Sequence, residues 1–198
     1  MYGTDRFIRK GLHVHSTGSY EEITFNRDSD AIIIPDGFKI MVPLGTEGVI
    51  MQELGGNYTV RVDTGYLVRI NAIDADAIGK EVDAAVLGFD EDVELDEERV
   101  FDILRTCYDP EIPVNIVDLG LVYGCEVNDL PDSDGTRIDV RMTLTAPGCG
   151  MGQVLKDDVE AKLGRLPGVE LAQVEMVFDP PWSMDKMSES ARLELGFE

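Results

Sequence analysis

The sequence predicts an α+β protein in two parts: a small β-rich domain, a barrel or a sandwich, and then a domain of helices packed on a small sheet. Three observations predict this arrangement. Short β-branched segments separated by glycine turns fill residues 20–72, helical and alternating patterns share residues 95–198, and an alanine-rich, acidic stretch lies between them. We therefore predict a β-rich domain with an acidic linker over residues 1–90 and an α+β domain over residues 91–198.

The β-rich half contains six short segments with the composition of strands, and glycine-containing dipeptides between them are typical of turns. Asp36-Gly37 is one of these turn signals. The predicted strands span residues 23–25, 31–34, 39–42, 48–51, 58–62 and 66–70. Residues 71–95 are interpreted as a linker or a peripheral segment.

The second half begins with a predicted helix, in which Val100, Leu104 and Cys107 recur at helical spacing and define a buried face. Strands are predicted at residues 121–127, 137–144 and 171–178. In the first of these strands, alternation places Tyr123 and Cys125 on one packed face. Cys107 and Cys125 are therefore predicted to be packing residues.

The middle strand of this half leads towards the third cysteine. Alternation turns Val140 and Met142 to the core and places Thr143 and Thr145 on the opposite face, as a polar row leading to Cys149. An amphipathic helix follows, with its apolar face built on leucine and valine. Its charged residues are expected mostly on the other face; they include Lys156, Asp157, Asp158, Glu160 and Lys162.

Cys149 is the most informative residue of the chain, because it lies in a glycine-rich loop outside any apolar period. Gly148 and Gly150 flank it and provide no side chain to bury it. A helix that begins near residues 150–153 directs free amide groups at the thiol, which favours the nucleophilic, metal-binding thiolate. The alternative is a loop cysteine that only fills space.

Asp109 and Glu111 form a candidate acidic pair in a proline-containing loop. Pro110 and Pro113 favour an extended chain, in which alternate side chains project to the same side. Such a pair could ligate iron, move protons or hold a loop amide. The alternative is that Asp109 turns the chain and Glu111 is solvated.

The amino-acid composition limits which classes of function and of binding site are expected. The formal net charge is −22, with 39 acidic against 17 basic residues, which argues against nucleic-acid binding. No apolar run approaches the roughly 20 residues of a membrane helix and none resembles a signal peptide, so a cytoplasmic protein is expected. The three cysteines include no C-x-x-C pair, so a closed zinc or cluster site is not expected.

Three separated motifs, in this order, resemble the signature of the MIP18 family, formerly called DUF59. They are Asp109-Pro110-Glu111-Ile112-Pro113, Asp118-Leu119-Gly120-Leu121-Val122-Tyr123 and Thr143-Leu144-Thr145-Ala146-Pro147-Gly148-Cys149. Residues 178–182 and 54–60 resemble one SUF-pathway member of that family in particular. The resemblance implies that the second domain is a MIP18-like fold with a small mixed sheet, and that the protein is not an enzyme.

The resemblance also implies a role: an accessory factor that helps deliver iron–sulfur clusters to client apo-proteins. Its functional thiol is Cys149. The loop residues around it are Thr143, Thr145, Pro147, Gly148 and Gly150, and the acidic motif is Asp109, Glu111 and Asp118. Many family members carry proline where this chain has Gly150, which implies a more flexible loop.

The implied partners are SUF assembly proteins, apo-clients and a second copy of the chain in a homodimer, but no membrane. No cofactor is expected to bind permanently, because stable clusters usually take four cysteines, whereas Cys149 could hold a transient cluster. Two alternatives stay open. One is an adaptor that never holds iron, and the other is a cysteine-nucleophile transferase, which needs a base such as His13 or His15 near the thiol.

Overall fold

The computed structural model describes residues 20–81, 95–131, 133–146, 148 and 150–197. The predicted boundary between the two domains falls in residues 82–94, outside the described residues, and stays a prediction. The strands of the first domain are β1 (Glu21–Thr24), β2 (Ser29–Ile34), β3 (Lys39–Val42), β4 (Glu47–Leu54), β5 (Asn57–Val62) and β6 (Leu67–Ile70). The second domain contains α1 (Glu97–Leu104), β7 (Val122–Asp129), β8 (Thr136–Met142), α2 (Gly152–Leu163), β9 (Val169–Met176) and α3 (Glu189–Glu194).

The six predicted strands of the first domain form one antiparallel sheet in the order β1-β4-β5-β6-β2-β3. Its core is built on alternating inward residues such as Phe25, Val60 and Val68, which are fully buried. A 3-10 helix at Ala72–Ile78 packs on this core. The interpretation of that segment as a peripheral linker is therefore wrong: its alanines and Ile78 are core residues.

The second domain has the predicted mixed sheet. The strand order is β7-β8-β9, with β7 antiparallel and β9 parallel to β8. α2 provides the crossover that a parallel neighbour requires, and the backbone amide of Val174 on β9 donates to Glu160 Oε1 on that helix at 2.8 Å. Together with the buried residues of α1, the inward face of β8 forms a single core.

The first strand of this sheet corrects one detail of the sequence analysis. Cys125 packs partly against the core as predicted, but Tyr123 does not join it. The register of β7 on β8 shifts between Val122 and Gly124. A bulge of this kind places an extra residue in the strand and reverses the alternation beyond it, so Tyr123 and Cys125 do not share the packed face.

Buried charges join the two domains. Lys162 on α2, with 1% of its side chain exposed, donates to the backbone oxygens of Gly55 at 3.2 Å and Thr106 at 2.7 Å. Arg69 of β6, 3% exposed, forms an ion pair with Asp158 on α2 at 2.9 Å. The prediction that Lys162 lies on the solvated face of its helix is wrong, because the first domain covers that face.

Candidate functional site

The loop that carries Cys149 runs from the end of β8 at Met142 to the start of α2 at Gly152. Cys149 and Pro147 lie outside the described residues. Their neighbours Gly148 and Gly150 are exposed. The predicted helix start is confirmed, and its N-terminal amides donate no hydrogen bond to a capping side chain.

Thr143 and Thr145 follow the end of β8 and are not part of the strand, so they do not form the predicted outward polar row. The amide of Thr143 donates to the carbonyl oxygen of Leu121 at 2.9 Å. Its hydroxyl is buried and has no hydrogen-bond partner among the described residues. Thr145 is half-buried. The start of the loop therefore contains a hydroxyl group whose hydrogen-bonding capacity is unused.

The far end of the loop is held by the first domain. A Cβ atom on Gly37, in the turn between β2 and β3, would lie 2.6 Å from the carbonyl oxygen of Gly150. A Cβ atom on Gly150 would lie 3.2 Å from the carbonyl oxygens of Pro35 and Asp36. The turn and the loop thus meet backbone to backbone, and glycine at position 150 fits this close approach.

An apolar contact extends the same junction. Met151 and Val154, at the start of α2, are buried in a small cluster with Ile32 of β2. The first domain therefore contributes both a backbone contact and an apolar contact directly after residue 149.

Asp109 and Glu111 do not form a carboxylate pair in the structure. Asp109 is buried, and its Oδ1 accepts a hydrogen bond from the amide of Glu111 at 2.9 Å. A backbone hydrogen bond from Ile112 to the carbonyl oxygen of Asp109 closes a turn, and Glu111 is exposed. The expected extended segment is thus wrong at this point, and the geometry matches the alternative in which Asp109 turns the chain.

Burial changes the protonation of Asp109. Desolvation raises the pKa of its carboxyl group, although the hydrogen bond from Glu111 and the charge of Arg69 both favour the ionised form. Asp109 therefore retains its proton to a higher pH than a solvated aspartate does.

The motif around Asp118 holds the C-terminal segment. Asp118 accepts a hydrogen bond from the Asn115 side chain at 2.7 Å, and its carbonyl oxygen accepts one from the amide of Ser188 at 2.8 Å. Trp182 Nε1 donates to the carbonyl oxygen of Leu119 at 2.9 Å. Through these contacts the motif has a clear structural role, because it fixes the segment that follows β9.

The two described cysteines are poor nucleophiles. Cys107 is fully buried, and desolvation raises its pKa to about 12. Burial, together with nearby carboxylates, raises the pKa of Cys125 to about 11. Both stay protonated near neutral pH, and this agrees with their prediction as packing residues.

Sequence reasoning missed the buried charges of the domain junction, although one signal was present. Lys162 lies three residues after Val159 and directly before Leu163, so it borders the apolar stripe of α2. No feature of the sequence around β6 indicates that Arg69 is buried.

Within the described ranges, no group of three or more histidine, cysteine, aspartate or glutamate side chains could hold a metal ion. In the same ranges, no helix is long and apolar enough to cross a membrane.

Comparison with known proteins gives a consistent result. A family model described as "Iron-sulfur cluster assembly protein" matches residues 97–176. The "Fe-S protein maturation auxiliary factor" of Porphyromonas gingivalis is 46% identical over 101 residues, covering 51% of this chain and 91% of that protein. The "Fe-S protein maturation auxiliary factor SufT" of Staphylococcus aureus is 42% identical over 88 residues, covering 44% of this chain and 94% of that protein.

A solved structure is also similar. The crystal structure of a DUF59 domain of unknown function from Bacillus anthracis is 34% identical, covers 52% of this chain and 92% of that one, and has a TM-score of 0.45. The family model lies within the second domain and includes no residue of the first sheet.

Proposed function

We propose a function from one premise: the chain belongs to the iron–sulfur cluster assembly protein family, also called the DUF59 or MIP18 family. Its role is that of an accessory factor in the maturation of iron–sulfur proteins. The word "auxiliary" in the names of its relatives supports a non-catalytic role for this chain.

The finer proposal is that Cys149 acts as the thiolate of this factor and holds an iron–sulfur cluster briefly during transfer to a client. One observation carries it. A cluster is ligated by thiolate, and burial keeps the other two thiols protonated, with pKa values of about 12 for Cys107 and about 11 for Cys125. Cys149 is the remaining candidate, in a loop with an exposed glycine on either side of it.

The start of α2 supports a thiolate at this position. The first amides of the helix, which begins at Gly152, have no side-chain cap. Uncapped amides and the positive end of the helix dipole favour a negative charge in the preceding residues. Cys149 precedes the first helical residue by three positions.

One cysteine ligand suits the transfer of an iron–sulfur cluster and not its storage. A single thiolate is too few for a stable cluster, which usually takes four cysteines. A second copy of the chain could supply another thiolate, and glutathione or the client could supply the rest. The proposed partners are therefore SUF assembly proteins, which provide the cluster, and apo-clients, which receive it.

Anaerobic reconstitution with ferrous iron and sulfide tests the carrier proposal. The wild-type chain is compared with Cys149→Ser and with a Cys107→Ser/Cys125→Ser double variant as matched control. We expect visible charge-transfer absorption in the wild type and the double variant and its loss in Cys149→Ser, together with a dimer in size-exclusion chromatography. Equal absorption in all three would contradict the proposal.

A second candidate function is a cluster-free adaptor that brings client and assembly machinery together. In this case no form of the protein develops charge-transfer absorption, yet client maturation still depends on the chain. The transferase alternative requires a base near the thiol; its candidates His13 and His15 lie outside the described residues, so it stays a prediction.

A further inference from the structure

A cavity of about 560 Å³ lies at the end of the second sheet, beside the strand end from which the Cys149 loop departs. Tyr123, Arg141, Pro180 and Lys186 contribute to its walls. Arg141 directly precedes Met142, the last residue of β8. The acidic motif residues Asp109, Glu111 and Asp118 are not among its lining residues, and nothing in the proposed function uses it.

Arg141 presents an unpaired guanidinium group to this cavity. The side chain is exposed, and it makes no ion pair or hydrogen bond with a described residue. Its Nη2 atom lies 2.9 Å from the position that a Cβ atom on Gly124 would occupy. The guanidinium thus lies against the backbone of β7, where the absence of a side chain on Gly124 leaves room for it.

Lys186 provides the second cation. Its Nζ atom lies 4.5 Å from the centroid of the Tyr123 ring, a cation–π contact, and the hydroxyl of Tyr123 donates to the carbonyl oxygen of Pro180 at 3.0 Å. The backbone of Lys186 packs on Gly120, which has φ +73°, and any Cβ there would overlap the carbonyl oxygen of Lys186. The ammonium group is therefore held in place without an ionic partner in contact among the described residues.

These two cations line one cavity in a chain with a net charge of −22. Within the described part of the chain, the basic side chains that form ion pairs are Arg27, Lys39, Arg69, Lys80, Arg105, Arg137, Lys156 and Lys162. Arg141 and Lys186 are not in that set, and neither are Arg61, Arg99, Arg165 and Arg192; of these six, Arg141 and Lys186 are the ones that line this cavity. A fixed pair of unneutralised cations on one cavity is the arrangement that binds oxyanions.

Carboxylates near the cavity limit the strength of such a site. Asp179 also lines it, Glu175 is opposite Arg141 in the register of β8 and β9, and Asp185 is adjacent to Lys186 in sequence. The pKa of Asp185 is lowered mainly by a hydrogen bond with the Ser183 side chain and to a smaller extent by the charge of Lys186, so this carboxylate stays ionised. None of these carboxylates lies within ion-pair distance of Arg141 or Lys186, so an incoming oxyanion meets both cations unoccupied.

We propose that this cavity is an oxyanion-binding site, in which Arg141 and Lys186 hold a carboxylate or phosphate group beside the base of the Cys149 loop. The guanidinium donates two parallel hydrogen bonds, and the ammonium adds a charge-assisted contact from the other wall. The group belongs either to a small free anion or to an acidic peptide segment of a partner. The proposal is independent of whether Cys149 holds a cluster.

Titration of the full chain with two probes tests this site: inorganic phosphate and an N-acetylated tetraglutamate peptide. Binding is measured by calorimetry and by the fluorescence of Trp182, the single tryptophan, which is anchored to Leu119 next to the cavity. The variants are Arg141→Gln and Lys186→Gln. The matched control is Arg137→Gln, because Arg137 lies on the same strand face but is neutralised by two contacts of 2.6 Å to Asp139.

We expect saturable binding that Arg141→Gln weakens by more than tenfold, that Lys186→Gln weakens by a smaller factor, and that Arg137→Gln leaves unchanged. If both probes bind but the peptide binds more tightly, the natural ligand is an acidic segment; binding of phosphate alone identifies a small anion. No saturable binding of either probe at tens of millimolar would overturn the proposal. Equal losses in Arg141→Gln and Arg137→Gln would do the same, because a general charge effect would then explain the binding.

Discussion

At the scale of single residues, the three thiols differ most in protonation, and this difference is measurable. At pH 8 a thiol with a pKa near 12 is ionised in only about one molecule in ten thousand, and Cys107 is also inaccessible. We expect iodoacetamide to modify Cys149 first, Cys125 much more slowly and Cys107 only after unfolding. Peptide mass spectrometry of timed samples measures the three rates.

Labelling in denaturant provides the control for this ranking, because all three thiols then have similar surroundings and should react at similar rates. Comparable native rates for Cys149 and Cys107 would contradict it. Such a result would also remove the main support for Cys149 as the functional thiol.

Asp109 provides a pH-dependent test at the same scale. Its pKa is raised by burial in the folded chain, so its stabilising contribution is complete below the pKa of the unfolded chain and is lost as pH rises through the folded value. Asp109→Asn keeps an oxygen acceptor for the amide of Glu111 and removes the titration. We expect the stability of this variant, relative to wild type, to increase as pH rises from about 4 towards neutrality.

Chemical denaturation of both proteins across that pH range measures the difference. Glu111→Gln is the matched control, since Glu111 is exposed and its substitution should give a flat difference. A relative stability of Asp109→Asn that falls with rising pH would mean that the charge of Arg69 outweighs the desolvation of Asp109.

Sequence reasoning predicted packing residues better than polar ones. Cys107 follows a helical period, and the core it joins is the one that the period predicts. Asp109 does not adopt the predicted extended geometry, because its side chain accepts a hydrogen bond from the amide of Glu111 and closes a turn. Aspartate before proline is itself a turn signal, and here it outweighed the extended geometry that the two prolines suggested.

At the scale of elements, the turn between β2 and β3 packs against the loop that joins β8 to α2 in the second domain, a contact that the sequence does not predict. Gly37 adopts φ +77°, and a Cβ there would also lie 2.6 Å from the carbonyl oxygen of Gly150. Gly37→Ala should therefore combine a left-handed strain of about 1–2 kcal/mol with an overpacking cost of about 1–3 kcal/mol. The movement that relieves the clash should also change the alkylation rate of Cys149.

Gly45→Ala separates these two effects. Gly45 has φ +84°, but apart from Gly45 and its two chain neighbours no described residue has a heavy atom within 4 Å of the position that a Cβ atom would occupy, so its substitution costs the backbone strain alone. Thermal unfolding and timed alkylation of both variants give the comparison. If Gly45→Ala changes the reactivity of Cys149 as much as Gly37→Ala does, the contact between turn and loop has no special influence on the thiol.

The predicted helices and strands match the structure where apolar residues recur at a regular spacing, and they differ from it where that spacing is interrupted. All six short strands of the first domain appear, because β-branched residues and glycine turns delimit them. The position of Tyr123 was missed because a one-residue bulge in β7 is not marked in the sequence. The 3-10 helix at Ala72–Ile78 was missed because its alanines suggested a linker and not a packed turn.

At the scale of the whole molecule, the arrangement of the two domains could not be predicted from the sequence. The contacts that set it join residues far apart in the chain, as in the ion pair between Arg69 and Asp158 and the hydrogen bond from Lys162 to Gly55. Each half has its own complete pattern of predicted helices, strands and buried residues, so neither pattern indicates that the other half packs against it. Buried charges at the junction depend on both halves, because without its partner domain Arg69 would lack Asp158 and Lys162 would lack the carbonyl oxygen of Gly55.

Lys162 is the residue through which this coupling can be tested. Its ammonium group contacts Gly55 of the first domain and Thr106 of the second, and its Nζ lies 3.7 Å from Asp158. Lys162→Met preserves most of the side-chain volume but leaves the buried acceptors unpaired. We expect a loss of about 3–5 kcal/mol, the usual cost of removing one partner of a buried ionic group.

The loss should appear as a change in cooperativity as well as in midpoint, because the ammonium group bonds to both domains at once. Differential scanning calorimetry should show one transition in the wild type and a broadened or split transition in Lys162→Met. Lys156→Met is the matched control on the same helix: its ion pair with Glu160 is partly solvated, with 3.7 Å between the charged atoms, and should cost less than about 1 kcal/mol. If both variants unfold alike, the buried ammonium group does not couple the domains, and the remaining contacts maintain the junction: the ion pair of Arg69 with Asp158 and the apolar contact of Met151 with Ile32.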